Sequence, residues 1–228
     1  MNYLYLLIDI FTVIVPFGFS FHPKIKFYTR WKAFFPAAFI TGVVFIIWDA
    51  IYTAKGIWGF NPRYITGVYF FHLPVEELMF FLCVPYASVF TYHCLTSFYK
   101  LQWKRKNETI CALLLSSFLL ITGFIFYSRL YTSVTFISLS MLILLLNFVF
   151  KVHWFGKLLT VYAVLLIPFF IVNGLLTGSC LQQPIVWYNP LQIIGVRIFT
   201  IPIEDFFYGF ELISLNIAFY EYLNTCST

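Results

Sequence analysis

Three observations predict an all-α membrane protein whose seven transmembrane helices form a 3+1+3 parallel internal repeat. The chain is 61% hydrophobic and 23% aromatic, with only 10% charged residues, against roughly a quarter charged in an ordinary soluble domain. Seven apolar segments, near 3–20, 33–53, 67–98, 109–127, 131–150, 158–176 and 195–223, approach or exceed the ~20 residues of a spanning helix. Finally, Asn61-Pro62, Gly67-Val68, Pro74, Glu76 and Glu77 align without gaps on Asn189-Pro190, Gly195-Val196, Pro202, Glu204 and Asp205, at a constant offset of 128 residues. Coincident spacing of this kind signals a repeat.

The first segment ends near Pro16 and Gly18, and it carries Asp9 without a basic stretch before it, so it reads as a retained span rather than a cleaved signal. The second carries Asp49 beside Trp48 near its end. Two readings of Asp49 stand: a helix-end residue at the water interface, where Trp and Tyr gather, or an acid turned into the bundle. Gly56-Ile57-Trp58-Gly59-Phe60-Asn61-Pro62 is turn-rich and precedes the third segment. The offset superposes segment one on five, two on six and three on seven, and leaves segment four as a linker. The domains are therefore 1–98, a first three-helix repeat; 99–130, a linker helix; and 131–228, a second three-helix repeat. Four helices separate equivalent members, so the halves cross the membrane in the same sense.

The formal net charge of +5 is concentrated in the first, third and fifth connections: Lys24, Lys26, Arg30 and Lys32; Lys100, Lys104, Arg105 and Lys106; Lys151 and Lys157. The bias of Lys and Arg toward the cytoplasmic side puts these loops in the cytoplasm, the N-terminus outside and the C-terminus inside. The expectation is a multi-pass protein of the cytoplasmic membrane in contact with lipid. A basic face on a soluble module is missing, so nucleic acid is not an expected partner. Cys83, Cys94, Cys111, Cys180 and Cys226 show no paired metal spacing and read as buried free thiols. No metal site is expected.

The acid doublets Glu76-Glu77 and Glu204-Asp205 sit behind Pro74 and Pro202 within apolar runs. Ionisable groups at membrane depth cost several kcal/mol by most estimates and persist mainly where they perform a task. Each proline either kinks a continuous helix or marks its first turn. Adjacent helical positions point about 100° apart, so the members of a doublet cannot share one target. His72, one turn before Glu76, and Arg197, two turns before Glu204, are candidate ion-pair partners at helical spacing, and Glu211 would share the face of Glu204.

A carboxylic acid enclosed by aromatic side chains is disfavoured in its charged form and can act as a Brønsted acid. Protonating an alkene gives a carbocation, which aromatic faces stabilise by ~1 to 2 kcal/mol or more per desolvated contact. A second carboxylate can then remove a proton. This inventory needs neither a metal nor a redox cofactor.

The repeated P-x-E-[ED] motif, the Trp48-Asp49 pair and the G-x-W-x-F-N-P stretch before segment three resemble the small membrane carotenoid cyclases. Those comprise the heterodimeric bacterial lycopene cyclases, their fused single-chain forms and the cyclase domain of fungal bifunctional enzymes. The likeness covers nearly the whole chain. It implies isomerisation of the linear ends of lycopene to beta-ionone rings, giving gamma-carotene and then beta-carotene. It also implies catalytic acids at Glu76, Glu77, Glu204 and Asp205 behind Pro74 and Pro202. The expected supporting residues are Asp49, Pro74, Pro202, Asn61, Asn189 and Glu211. The second half departs from the pattern: Asn173 stands near the place corresponding to Asp49, without an equivalent Trp-Asp pair.

The expected mechanism has Glu76 or Glu204 protonate the terminal double bond, the neighbouring trisubstituted alkene close onto the cation, and a second carboxylate take the ring proton. Its class is that of an intramolecular lyase or isomerase. No G-x-G-x-x-G follows a strand, so no nucleotide is expected. A related end-group enzyme, an epsilon-cyclase or a hydratase, could use similar acids. A small sugar transporter of the 3+1+3 type is the other alternative, though its path would be expected to offer Asn, Gln, Ser and Trp along both halves rather than acids among Phe and Tyr. A retinal-binding opsin needs a lysine in the last helix, and segment 195–223 has none. Self-association and association with other carotenoid enzymes are left open.

Overall fold

The computed structural model describes residues 3–226, apart from the side chain of Cys226. Among the described residues there are seven α-helices: α1 (Leu4–Phe19), α2 (Trp31–Ala54), α3 (Val75–Phe98), α4 (Arg105–Ile125), α5 (Leu130–Leu144), α6 (Phe155–Leu176) and α7 (Ile203–Cys226). A 3-10 turn, Phe27–Arg30, leads into α2, and a π-helical turn, Leu145–Val149, prolongs α5. With those turns included, five of the helices, α2 to α6, are long and apolar enough to cross a membrane. The chain is thus a helical membrane protein by length and composition. The two other expected spans differ for physical reasons. α1 is apolar but only 16 residues long, about 24 Å at 1.5 Å per residue. α7 has 24 residues but carries Glu204, Asp205, Glu211 and Glu221.

The third and seventh segments begin later than the apolar runs suggest. Proline has no N–H to donate and a fixed φ; Pro74, with φ −66° and ψ 150°, caps α3, which therefore starts at Val75. Upstream, strands β2 (Tyr69–Phe70) and β3 (Leu73–Pro74) form a hairpin. Its turn residues Phe71 and His72 have φ of 50° and 68°, the primed geometry that suits the twist of a two-residue hairpin. β5 (Arg197–Ile198) and β6 (Ile201–Pro202) form the equivalent hairpin before α7.

One more ladder joins the two halves. β1 (Trp58–Phe60) pairs antiparallel with β4 (Val186–Tyr188), with Trp58 opposite Tyr188, Gly59 opposite Trp187 and Phe60 opposite Val186. Asn61 N donates to Ile185 O and Asn189 N to Ile57 O, both at 2.8 Å, so the ladder is extended at both ends in the same way. Gly59 is required at the centre: a Cβ there would lie 2.4 Å from Trp187 Cζ2.

The offset of 128 residues holds from β1 and β4 through to α3 and α7, but it drifts before them. α2 and α6 begin at Trp31 and Phe155, because the connection 177–185 between α6 and β4 is longer than 55–57 between α2 and β1.

α2 packs against both α3 and α7, α1 against α3, and α5 against α4 and α7. The main core includes Phe34 of α2, Tyr86 and Val89 of α3, Leu139 of α5, Val161 of α6 and Phe210 and Ile217 of α7, all buried. Phe11, Phe39, Leu114, Phe124 and Ile167 point outward and are exposed. An apolar exterior over a packed interior is what a bundle in lipid requires. At one end Arg30 donates to Asn224 Oδ1 of α7 at 2.8 Å, and Arg105 reaches Asn147 O at 2.7 Å and Val152 O at 2.5 Å, tying the third connection to the fifth. Of the cysteines Cys83 is buried, Cys94 and Cys111 are part-buried, and Cys180 is exposed in the irregular 177–185 connection. The expectation of buried thiols thus fails at Cys180, and the side chain of Cys226 lies outside the described residues.

Candidate active site

Because α3 and α7 start at the prolines, both doublets occupy the first turn of a helix, where the positive end of the helix dipole favours acids. Within that turn the two carboxyls diverge. Glu76 is fully buried, and its Oε1 accepts from Thr66 N at 2.6 Å. Glu204 is equally buried and accepts from Ile194 N, likewise at 2.6 Å, and from Thr132 Oγ1 of α5, also at 2.6 Å. The first acid of each doublet thus clasps the backbone ten residues earlier, where the chain turns toward the hairpin. Neither lines the cavity between the halves.

The second acid of each doublet does. Glu77 and Asp205 face that cavity together with Asp49 of α2 and Asn173 of α6. Tyr5 of α1 donates its hydroxyl to Glu77 Oε2 at 2.5 Å. Tyr131 of α5 donates to Asp205 Oδ1 at 2.7 Å, and Tyr188 of β4 donates to Oδ2 at 2.8 Å. Asp205 is held on both oxygens, as befits a carboxylate, which has only acceptor sites. Glu77 has a single phenolic partner. Burial and the neighbouring Asp205 push the Tyr188 hydroxyl well above its ordinary pKa, so it keeps the proton it donates. Glu77 lies within electrostatic reach of both Asp49 and Asp205.

The walls are aromatic. Tyr131 and Tyr188 stack at 5.9 Å with an interplanar angle of 8°, Trp58 meets Tyr131 edge-on at 4.9 Å, and Tyr208 meets Trp58 at 6.0 Å. Phe60, Phe80 and Phe169 also line it, beside aliphatic side chains that include Leu176, Val186 and Leu212. The free space is about 70 Å³, so a bulky guest is admitted only as the walls part. Among the described residues, no three His, Cys, Asp or Glu side chains form a group suited to a metal ion.

Asp49, for which two readings stood, is buried and lines the cavity. His72 and Arg197 do not pair with the doublets. Both lie in the hairpins rather than on the helices; Arg197 donates to Thr200 O at 2.5 Å and sits over the Tyr188 ring. Glu211 shares with Glu204 a face turned to α5, where Ser138 Oγ donates to it at 3.0 Å, but it lies outside the cavity. Asn61 and Asn189 each cap a 3-10 turn, accepting from Arg63 N at 3.1 Å and Leu191 N at 3.0 Å. Each also reaches across to the other half, Asn61 to Gln183 Oε1 at 3.0 Å and Asn189 to Gly56 O at 3.4 Å. Pro74 and Pro202 close the hairpin strands.

Sequence reasoning does not single out the tyrosines. Tyr5 and Tyr131 each lie in the first turn of equivalent helices α1 and α5. That shared position is the signal that could have found them.

Fold and site together define a helical membrane protein with acids of both halves converging on one aromatic cavity. The family profile described as Lycopene cyclase matches residues 2–95 and 128–223, and the chain belongs to that family. Membership supports a carotenoid cyclase function. The matched segments contain both doublets and leave α4 unmatched. No curated protein and no solved structure matches the chain.

Proposed function

We propose that this protein is a lycopene beta-cyclase in which Glu77 donates and Asp205 accepts the proton that moves through each ring closure. Glu77 protonates the terminal double bond of a linear end, forming a C–H bond. The neighbouring trisubstituted alkene closes onto the cation, forming the C–C bond of the ring. Asp205 then takes a proton from the ring carbon, and its electron pair becomes the ring double bond. The net change is an isomerisation with no electron exchanged, the chemistry of an intramolecular lyase. It calls for no redox cofactor.

The single observation that carries this reading is the convergence of Glu77 and Asp205 on one cavity walled by Trp58, Tyr131, Tyr188 and Tyr208. The hydrogen bonding supports this division of roles. Two phenols stabilise Asp205 as the anion a base must be, whereas Glu77 has one oxygen free of a phenol to present a proton. Glu76 and Glu204, the donors expected from sequence, are engaged with backbone instead. Preference for the beta ring rests on the resemblance to the membrane beta-cyclases.

The architecture belonging to this reading is seven spans in a 3+1+3 parallel repeat, with 1–98 and 131–228 as the halves and 99–130 as linker. The N-terminus is outside and the C-terminus cytoplasmic, in the cytoplasmic membrane. Paired hydrogen bonds at Thr66 to Glu76 and Ile194 to Glu204 support the repeat. The test is expression in a lycopene-accumulating bacterium, with pigments separated by chromatography. Gamma- and beta-carotene are expected; hydroxylated ends would identify a hydratase, epsilon rings an epsilon-cyclase, and unchanged lycopene would refute the reading.

A further inference from the structure

With Glu77 as donor and Asp205 as acceptor, the reading on which this inference rests, a proton must be returned after every ring closure. Each closure ends with Glu77 an anion and Asp205 protonated, the reverse of the starting state. Exchange of roles for the next ring is opposed by geometry. Tyr131 and Tyr188 donate to both oxygens of Asp205 at 2.7 and 2.8 Å, which favours the anion and so opposes Asp205 as a proton donor, while each oxygen keeps a lone pair with which to take a proton. The proton must leave Asp205 before the next base step, and Glu77 must regain one.

Two polar atoms on the same cavity wall are buried without a hydrogen-bond partner: Asp49 Oδ2 and the Tyr208 hydroxyl. Burying a polar atom without a partner is unfavourable, so their presence calls for an explanation beyond packing. Tyr208 lies one turn after Asp205 on α7, and its ring meets that of Tyr131 at 6.0 Å. Its hydroxyl is within electrostatic reach of Asp49, Glu77 and Tyr188, and Asp49 is within reach of Glu77. A phenol and a carboxyl each accept a proton at one lone pair and release one in turn.

We propose that Tyr208 and Asp49 form a proton relay that returns the proton from Asp205 to Glu77 inside the cavity. Tyr208 takes up the proton leaving Asp205 as it passes its own to Asp49, and Asp49 delivers its proton to Glu77. Every bond made is balanced by one broken, and no outside reactant is consumed. The proton removed from one ring carbon becomes the proton added to the next linear end.

The experiment is multiple-turnover cyclisation of unlabelled lycopene by the purified protein in liposomes pre-equilibrated in heavy water, with product deuterium measured by mass spectrometry. The wild type should average well below one deuterium per ring. Asp49→Asn and Tyr208→Phe should slow turnover and raise the content toward one per ring, because Glu77 then recovers its proton from solvent. Asp49→Glu, which keeps a carboxyl, should restore the low content; loss of packing would alter the rate but not the isotope. One deuterium per ring from the wild type, or an unchanged low content in both blocking variants, overturns the relay and leaves the cyclase reading intact. Absence of any ring product from the wild type overturns the cyclase reading, and the relay with it.

Discussion

Within each doublet, a step of about 100° around the helix separates two tasks that residue type does not distinguish. Glu76 holds Thr66 N, and its amide isostere still offers an acceptor there. Glu76→Gln should therefore cyclise within about tenfold of wild type, while Glu76→Ala leaves the part-buried Thr66 N without its acceptor, at ~1–3 kcal/mol. Membrane protein levels by immunoblot, beside pigment yield, check this. A Gln variant that accumulates normally but makes no rings would return the donor role to Glu76. At the other acid, Tyr188→Phe deprives Asp205 Oδ2 of its donor. Loss of ~1.4 to 2.8 kcal/mol of anion stabilisation should slow turnover roughly ten- to a hundredfold, read as initial rate in liposomes. Which member of the pair meets the cavity was not legible in the sequence. Both are acids at adjacent positions, and the choice depends on how α3 and α7 are rotated against their neighbours.

At the level of elements, the helices were legible because spanning runs of apolar residues have few alternatives in lipid. The hairpins at 69–74 and 197–202 were not. Tyr69, Phe70, Phe71 and Leu73 look like the start of a span, and only the proline that follows marks the true helix start. The gapless alignment around the doublets was legible for a physical reason as well: the same turns, caps and clasps are built twice. The longer 177–185 connection hid the drift of the earlier helices. The β1–β4 ladder, which pairs the halves, depends on a glycine opposite a tryptophan. Gly59→Leu should overpack that contact and destabilise the protein by ~1–3 kcal/mol. Thermal aggregation in detergent would report it, and Trp187→Ala in the same chain should recover most of the loss. Failure of the second change to rescue would place the role of Gly59 elsewhere.

Across the whole molecule, the halves contribute unlike partners to one chamber: Glu77, Asp49 and Trp58 from the first, Asp205, Tyr131, Tyr188 and Tyr208 from the second. Reporters fused after Lys106 and at the C-terminus should read cytoplasmic, and one near Gly59 external; an external signal at Lys106 would undo the seven-span count and set the doublets at different depths. The shared chamber is the central claim, and single variants in a lycopene-accumulating bacterium test it most directly. Glu77→Gln removes the proton donor from one half, and Asp205→Asn removes the acceptor from the other. With membrane levels matched to wild type, each alone should suppress both gamma- and beta-carotene by the 10²- to 10⁴-fold typical of lost general acid–base catalysis. Two independent sites, one per half, would instead leave either variant forming rings at about half the wild-type yield, and that result would contradict the account.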